Sequence, residues 1–225
     1  MDICLSKNGK TMAIVVGLTF NPFQENTYLV YDDTGECLIF DPGCFEGYEK
    51  EELAGAISNL QLKPVRLINT HCHIDHILGN YFVSEAYQLP LEIHEGELPV
   101  LQSAPQVAAM FGMPYPEPSP MPGRYIAEGE IISFGNTTLK ALYTPGHSPA
   151  SLSFYCEKDG FVIAGDVLFR DSIGRTDLPG GNFNTLAQSI KTQLYSLPDE
   201  VKVYPGHGPA TTIGYERWNN PFVKG

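Results

Sequence analysis

Residues Thr70 to His76 read Thr-His-Cys-His-Ile-Asp-His, and this short run constrains the fold more than any other stretch. Donors at positions 71, 73, 75 and 76 cannot share one helical face. They can fan around a loop and address two metals from opposite sides, an arrangement suited to a bridging water and a bridging carboxylate. Two more histidines follow at long range, His147 in Thr-Pro-Gly-His and His207 in Pro-Gly-His-Gly, and Asp166 adds a carboxylate. Five of the six histidines thus belong to one prospective centre together with Asp75 and Asp166. Nitrogen and oxygen donors at this density suit zinc, or iron or manganese.

The pattern around these residues predicts how distant donors meet. Strands are expected over 11–18, 27–31, 37–40, 65–69 and 91–94, where β-branched and aromatic residues cluster between turn residues. Hairpins are expected from 130–134 with 137–143 and from 151–156 with 161–164, with a last strand over 201–204. Apolar residues at helical spacing predict helices over 49–60, 77–88 and 184–197. The donor segments 70–76, 144–147, 165–166 and 205–207 each begin where an expected strand ends. Donors at the ends of separate strands would converge on one sheet edge, held by rigid elements. The segment from Ala104 to Gly123 carries six prolines and is expected to be irregular beyond one short helix, either a lid or substrate wall or a surface connection between two half-domains.

Composition narrows the partners. A net charge of −12 argues against general affinity for nucleic acid or anionic membranes. An anionic substrate would then need local basic groups or the metals themselves. The longest apolar run, Met12–Leu18, is too short to span a bilayer, and no signal-peptide pattern accompanies it. Five cysteines without a Cys-x-x-Cys pair are expected to be reduced thiols in a cytoplasmic protein. Cys72 should point away from the donors on either side of it and serve packing. His94 lacks a partner motif and is expected to be a surface or capping residue.

Longer motifs in fixed order carry a family resemblance. They are Ile39–Gly43 (IFDPG), Thr70–His76, Thr144–Ser148 (TPGHS), Ala164–Phe169 (AGDVLF), Ile173–Gly181 (IGRTDLPGG), Tyr204–Thr212 (YPGHGPATT) and Gly214–Phe222 (GYERWNNPF). Over nearly its full length the chain resembles the metallo-β-lactamase superfamily, and within it the short glyoxalase II-like, or hydroxyacylglutathione hydrolase-like, proteins. The resemblance implies an α/β fold of the αββα sandwich type, two mixed β-sheets with flanking helices, as one domain over 1–225. It implies that His71, His73 and His147 bind one metal, that Asp75, His76 and His207 bind a second, and that Asp166 bridges them. Asp41 would support the ligand loops from behind, fixing histidine orientation.

Such a centre, with two zinc ions, lowers the pKa of a bound water from about 15.7 to near neutrality. The resulting hydroxide, oriented by Asp75, would attack a carbonyl, and one metal would stabilise the oxyanion. A thiol with a reference pKa of about 8.5 leaves readily. The motifs offer no spare acid to protonate an amide nitrogen. The expected activity is therefore hydrolysis of small thioesters of the S-lactoylglutathione kind. Classical glyoxalase II proteins bind glutathione through a lysine and a tyrosine after the bridging aspartate and through a C-terminal extension. Here Arg175 stands in the lysine's place as a candidate carboxylate clamp, or else pairs internally with Asp177 or Asp171. Asp177 stands near the tyrosine's place, and the sequence ends at Gly225 without the extension. Gly-Arg-Thr-Asp also occurs in the related persulfide dioxygenases, where one iron would sit on His71, His147 and Asp166. A lactonase or other ester hydrolase is a third possibility on the same centre.

Overall fold

The computed structural model describes residues 12–115 and 117–225. Cys4, Thr11 at the start of the expected first strand, and Pro116 lie outside the described residues. Strands β1 (Ile14–Phe20), β2 (Glu25–Tyr31) and β3 (Glu36–Phe40) form an antiparallel meander. Helix α1 (Gly47–Asn59) carries the chain to β4 (Lys63–Ile68), parallel to β3. Helices α2 (Ile74–Ile77) and α3 (Asn80–Tyr87) follow, then β5 (Leu91–Ile93), α4 (Leu98–Met110) and β6 (Arg124–Tyr125). The first sheet has the order β1-β2-β3-β4-β5-β6 and is mixed.

The second sheet is also mixed, in the order β14-β13-β10-β9-β8-β7. It comprises β7 (Ile131–Phe134), β8 (Thr137–Tyr143), β9 (Leu152–Cys156), β10 (Phe161–Gly165), β13 (Lys202–Pro205) and β14 (Thr211–Thr212). A small hairpin of β11 (Leu168–Phe169) and β12 (Ser172–Ile173) leaves the end of β10. Helix α5 (Phe183–Ser189) runs on into a π-helical turn over Ile190–Leu194, and α6 (Ile213–Asn219) follows β14.

Strand β3 shows why layers form. Its apolar residues face both ways, Leu38 and Phe40 into the space between the sheets, Cys37 and Ile39 against the outer helices. Strand β10 does the same, with Phe161 and Ile163 inward and Val162 and Ala164 toward Leu186, Ile190 and Leu194. Strands buried on both faces read as continuous apolar runs and require cover on both sides. The result is the αββα sandwich, with the inter-sheet layer closed by contacts such as Phe40 on Phe154, ring centroids 5.0 Å apart.

Several expectations need correction. The helix expected over 77–88 is two helices, broken at Leu78 and Gly79. Gly79 passes so close to Cys44 that a side chain there would lie 2.5 Å from the sulfur. Its amide donates to the Pro42 carbonyl, tying the break to the Asp41-Pro42-Gly43 turn. Helix α4 enters the proline-rich segment and contains Pro105, because the stripe Leu101, Ala104 and Ala108 is buried against the first core. Beyond it, Ser119 donates to the Ile77 carbonyl and Tyr115 packs on the same core, so this connection is pinned beside α2. Helix α6 offers too few apolar residues for a periodic signal and is held instead by the Thr212 N-cap and the buried Glu216. No helix among the described residues is long and apolar enough to cross a membrane. Cys37, Cys44, Cys72 and Cys156 are free and buried, with burial pushing Cys37, Cys44 and Cys156 up to about 12.

Phe154→Ala would empty the centre of the inter-sheet layer. It should cost about 3–5 kcal/mol in denaturant unfolding. Ile131→Ala on the exposed face should change stability by less than about 0.5 kcal/mol. Equal effects of the two substitutions would contradict the layer assignment.

Candidate metal centre

Each donor segment starts where a strand stops. His71 and His73 follow β4, His147 follows β8, Asp166 follows β10, and His207 follows β13. The run 70–76 is not wholly a loop, since Ile74–Ile77 forms a helical turn with His73 at its N-cap position. His71 and His73 therefore sit on the loop, Asp75 and His76 on the turn.

The structure brings the donors into two groups. His71, His73 and His147 each offer an atom within 4.8 Å of the others, and Asp75, His76 and His207 do the same. Asp166 stands between the groups. Its Oδ1 is 3.4 Å from His76 Nε2, and its Oδ2 is 3.4 Å from His147 Nε2 and 3.5 Å from His207 Nε2. Asp75 Oδ2 lies 3.1 Å from His207 Nε2 and 3.7 Å from His76 Nε2. Asp41, His71 and His76 also cluster, but both Asp41 oxygens are taken from behind the site. Asp41 Oδ1 accepts from the Thr70 amide at 2.7 Å, and Oδ2 accepts from the Thr70 hydroxyl at 2.6 Å and faces His76 Nδ1 at 3.2 Å.

These rear contacts assign the histidine tautomers. Thr70 gives its only hydroxyl proton to Asp41, so at 3.0 Å it accepts from His71 Nδ1. His76 Nδ1 donates to Asp41, His147 Nδ1 to the Arg175 carbonyl at 2.7 Å, and His207 Nδ1 to the carbonyls of Phe23 and Gln24. Four histidines are thereby turned with Nε2 toward the centre, as metal-ligating histidines are held. His73 differs, presenting Nδ1 at 2.8 Å from His147 Nε2. His71 Nε2, His76 Nε2 and Asp166 Oδ1 are buried and have no hydrogen-bond partner. Orphaned buried donors and acceptors are costly unless something else satisfies them. One cation in each group would satisfy all three, so the residues present fit metal ions.

Electrostatics point the same way. Burial, reinforced by the neighbouring histidines, holds His71 well below its ordinary range, and burial with His147 pushes His73 down to about 3. Burial also lowers His147 against the pull of Asp166. This group is neutral imidazole, the ligand form. Burial opposes charge on His76 and His207 as well, yet the carboxylates Asp166 and Asp75 outweigh it and raise both. Asp166 and Asp75 themselves stay below the usual carboxylate range, because these histidines outweigh the cost of burial. The two carboxylates demand compensating positive charge, which a divalent cation supplies.

Other residues that build the centre were not singled out from the sequence. Glu97 is fully buried and accepts from the Cys72 amide, the Ser148 hydroxyl and the Ala150 amide. It clasps the loop of His71 and His73 to the loop of His147. Asn26 donates to the carbonyls of Pro205 and Gly208, on either side of His207. Gly206 and Gly174 leave room for ligands: a side-chain carbon at 206 would lie 2.1 Å from Asp166 Oδ1, and one at 174 would lie 1.9 Å from the Asp166 carbonyl. Cys72 is buried in the first core, as its packing role requires. His94 lies apart from the donor groups, and its Nδ1 caps a short helical turn by accepting from the Gly96 amide. Arg175 reaches the centre through its carbonyl, while its guanidinium forms a two-pronged pair with Asp177, 2.7 Å on each prong.

The model of the metallo-β-lactamase superfamily matches residues 20–207. The chain belongs to that superfamily. The chain is 39% identical over 207 residues to a probable metallo-hydrolase, YqgX, of Bacillus subtilis, covering 91% of this chain and 94% of that one. It is 36% identical over 203 residues to the hydroxyacylglutathione hydrolase GloC of Haemophilus influenzae, covering 89% and 93%. Among solved structures, TTHA1623 in a di-iron-bound form superposes with a TM-score of 0.83 at 39% identity, covering 93% of this chain and 100% of that one. Divalent-metal binding is the property this superfamily fold implies, and the two histidine-rich groups stand where strand ends present them.

For this metallo-β-lactamase-fold chain, Asp41→Asn should lower metal affinity about 10–100-fold, since one carboxylate oxygen holds both Thr70 and His76. Competition against a chromogenic chelator measures it. Unchanged affinity would show that Asp41 serves only the turn.

Proposed function

We propose that the protein is a dinuclear zinc hydrolase of small thioesters, of which S-lactoylglutathione is the type. The observation that carries this reading is Asp166, whose carboxylate lies within 3.5 Å of Nε2 atoms from both donor groups. In this assignment His71, His73 and His147 hold one cation, Asp75, His76 and His207 hold the other, and Asp166 is shared. When bound, the pair would supply a water of near-neutral acidity and polarise a carbonyl oxygen.

The chain's own groups do the rest. Asp75, whose Oδ2 lies 3.1 Å from His207 Nε2, would accept a hydrogen bond from the attacking water and fix its direction. Asp166 keeps its negative charge and so favours cations on both sides of it. Hydrolysis breaks the acyl carbon–sulfur bond, adds the water oxygen to the acyl carbon and releases a carboxylate and a thiol. A thiolate of ordinary acidity leaves without help from an acid. This suits a site in which Asp75 and Asp166 are held as anions and Glu25 is fully buried on the Nδ1 side of His76. The similarity to a protein named hydroxyacylglutathione hydrolase supports the thioester class. The all-nitrogen-and-oxygen donor set suits zinc, and the di-iron form of a 39% identical structure makes iron the competing metal.

Steady-state hydrolysis of S-lactoylglutathione by zinc-loaded protein tests the reading. Asp166→Ala and His71→Ala should each cost more than the roughly 10–100-fold typical of a supporting partner. His94→Ala, away from the donor groups, should stay near wild type. Near-wild-type turnover by either ligand variant at full metal loading would overturn the assignment. Absence of thioester hydrolysis, with oxygen uptake on glutathione persulfide by iron-loaded protein, would make it a dioxygenase instead.

A further inference from the structure

Five arginines lie in the described residues, and four of them donate hydrogen bonds. Arg66 binds Glu92, Arg124 binds Glu92 and Glu130, Arg175 binds Asp177, and Arg217 binds Asp199 and the carbonyls of Tyr195 and Leu197. Arg170 is the exception among the described residues. Its side chain is half exposed, and its nearest carboxylate oxygen, on Asp171, is 3.9 Å away and beyond hydrogen-bond reach. What holds it is the ring of Tyr215, with the guanidinium carbon 5.4 Å from the centroid. A guanidinium stacked on an aromatic face keeps its in-plane N–H donors free for a planar anion.

The hairpin that carries Arg170 is fastened, and the residue before it meets a donor histidine. It directly follows Phe169, whose ring lies edge-on to His207 with centroids 6.2 Å apart. It sits at the tip of the β11–β12 hairpin, with Asp171 at φ +57° beside it. Three bonds fasten that tip to the α6 region: the Asp171 amide to Glu216, the Tyr215 hydroxyl to Asp171, and the Asn220 side chain to the Ser172 carbonyl. The Tyr215 hydroxyl also occupies one Asp171 oxygen at 2.8 Å, drawing that carboxylate away from Arg170. By contrast, both prongs of Arg175 are occupied by Asp177. In a chain of net charge −12, a half-exposed guanidinium without a hydrogen-bond partner, on a fastened tip one residue after the phenylalanine that meets His207, stands out.

We infer that Arg170, stacked on Tyr215, is the docking point for a carboxylate on the thiol half of the substrate. This rests on the thioester-hydrolase reading and moves the clamp from Arg175 to Arg170. Recognition at the leaving-group end contributes binding shared by ground and transition states, so it should govern KM more than kcat.

The experiment compares two thioesters with the same acyl group on zinc-loaded protein, one of glutathione and one of uncharged N-acetylcysteamine. Arg170→Ala should raise KM for the glutathione thioester about tenfold or more, as loss of a charged hydrogen bond implies, and collapse the preference for it. Arg170→Lys should restore only part of that preference, having charge without the fork. Calorimetric titration with S-methylglutathione, which cannot be hydrolysed, gives a readout independent of turnover. It should show binding to wild type that weakens in Arg170→Ala and persists in Arg175→Ala. An unchanged KM and unchanged S-methylglutathione affinity in Arg170→Ala, or a larger loss in Arg175→Ala, would overturn the inference. If wild type hydrolyses neither thioester, the hydrolase reading fails, while the titration still decides where the carboxylate docks.

Discussion

Everything in this molecule answers to one constraint. Seven donor groups from four strand ends must converge in one site, where three of their buried atoms find no protein partner. Buried His71 Nε2, His76 Nε2 and Asp166 Oδ1 have no protein partner, and bare donors of this kind cost roughly 1–3 kcal/mol each. The chain meets that cost by bracing the donors from behind. Asp41 holds Thr70 and His76, Thr70 holds His71, Glu97 clasps the first loop to the His147 loop, and Asn26 braces the His207 loop. The sandwich supplies the rigid frame, and the braces convert strand ends into aimed ligands.

The backbone carries strain at the same places. Asn21, Gln24 and Asp41 have φ values of +53°, +58° and +47°, conformations that non-glycine residues rarely adopt. Asn21 donates to the Asp75 carbonyl, the Gln24 carbonyl lies against His207, and Asp41 backs His76. Such residues cost on the order of 1–3 kcal/mol each and persist where surrounding bonds over-determine them. Three of the six such residues among those described thus brace the donors, while Gln61, Gln88 and Asp171 lie in exposed turns.

Much of this was legible in the sequence, because each donor is a side chain with its own identity. The histidines, Asp75 and Asp166 announced themselves by type and spacing. The hairpin of 130–134 and 137–143 announced itself by alternation around Gly135-Asn136, and the buried stripe Leu186, Ile190 and Leu194 by helical period. What stayed hidden depends on atoms without residue identity or on contacts across the fold. The carbonyls of Arg175, Phe23 and Gln24 orient two histidines, and any residue could supply them. Glu97 looks in sequence like one acidic residue in a polar turn, and only the meeting of two loops makes it a clasp. The break at Gly79 and the helix through Pro105 are tertiary decisions, the first set by Cys44 and Pro42, the second by an apolar stripe that outweighs one missing amide. Arg175 stands in a motif, whereas the guanidinium of Arg170, without a hydrogen-bond partner, is visible only once every other arginine's partners are known.

The central claim is that Asp166 joins two cation sites rather than serving one. Diffraction from metal-replete crystals, with anomalous maps recorded at the zinc and iron edges, tests it most directly. The account predicts two zinc peaks about 3.5–4 Å apart, one against His71, His73 and His147, the other against Asp75, His76 and His207, with Asp166 reaching both. A single peak at full loading, held by His71, His147 and Asp166 and already strong at the iron edge, would contradict it.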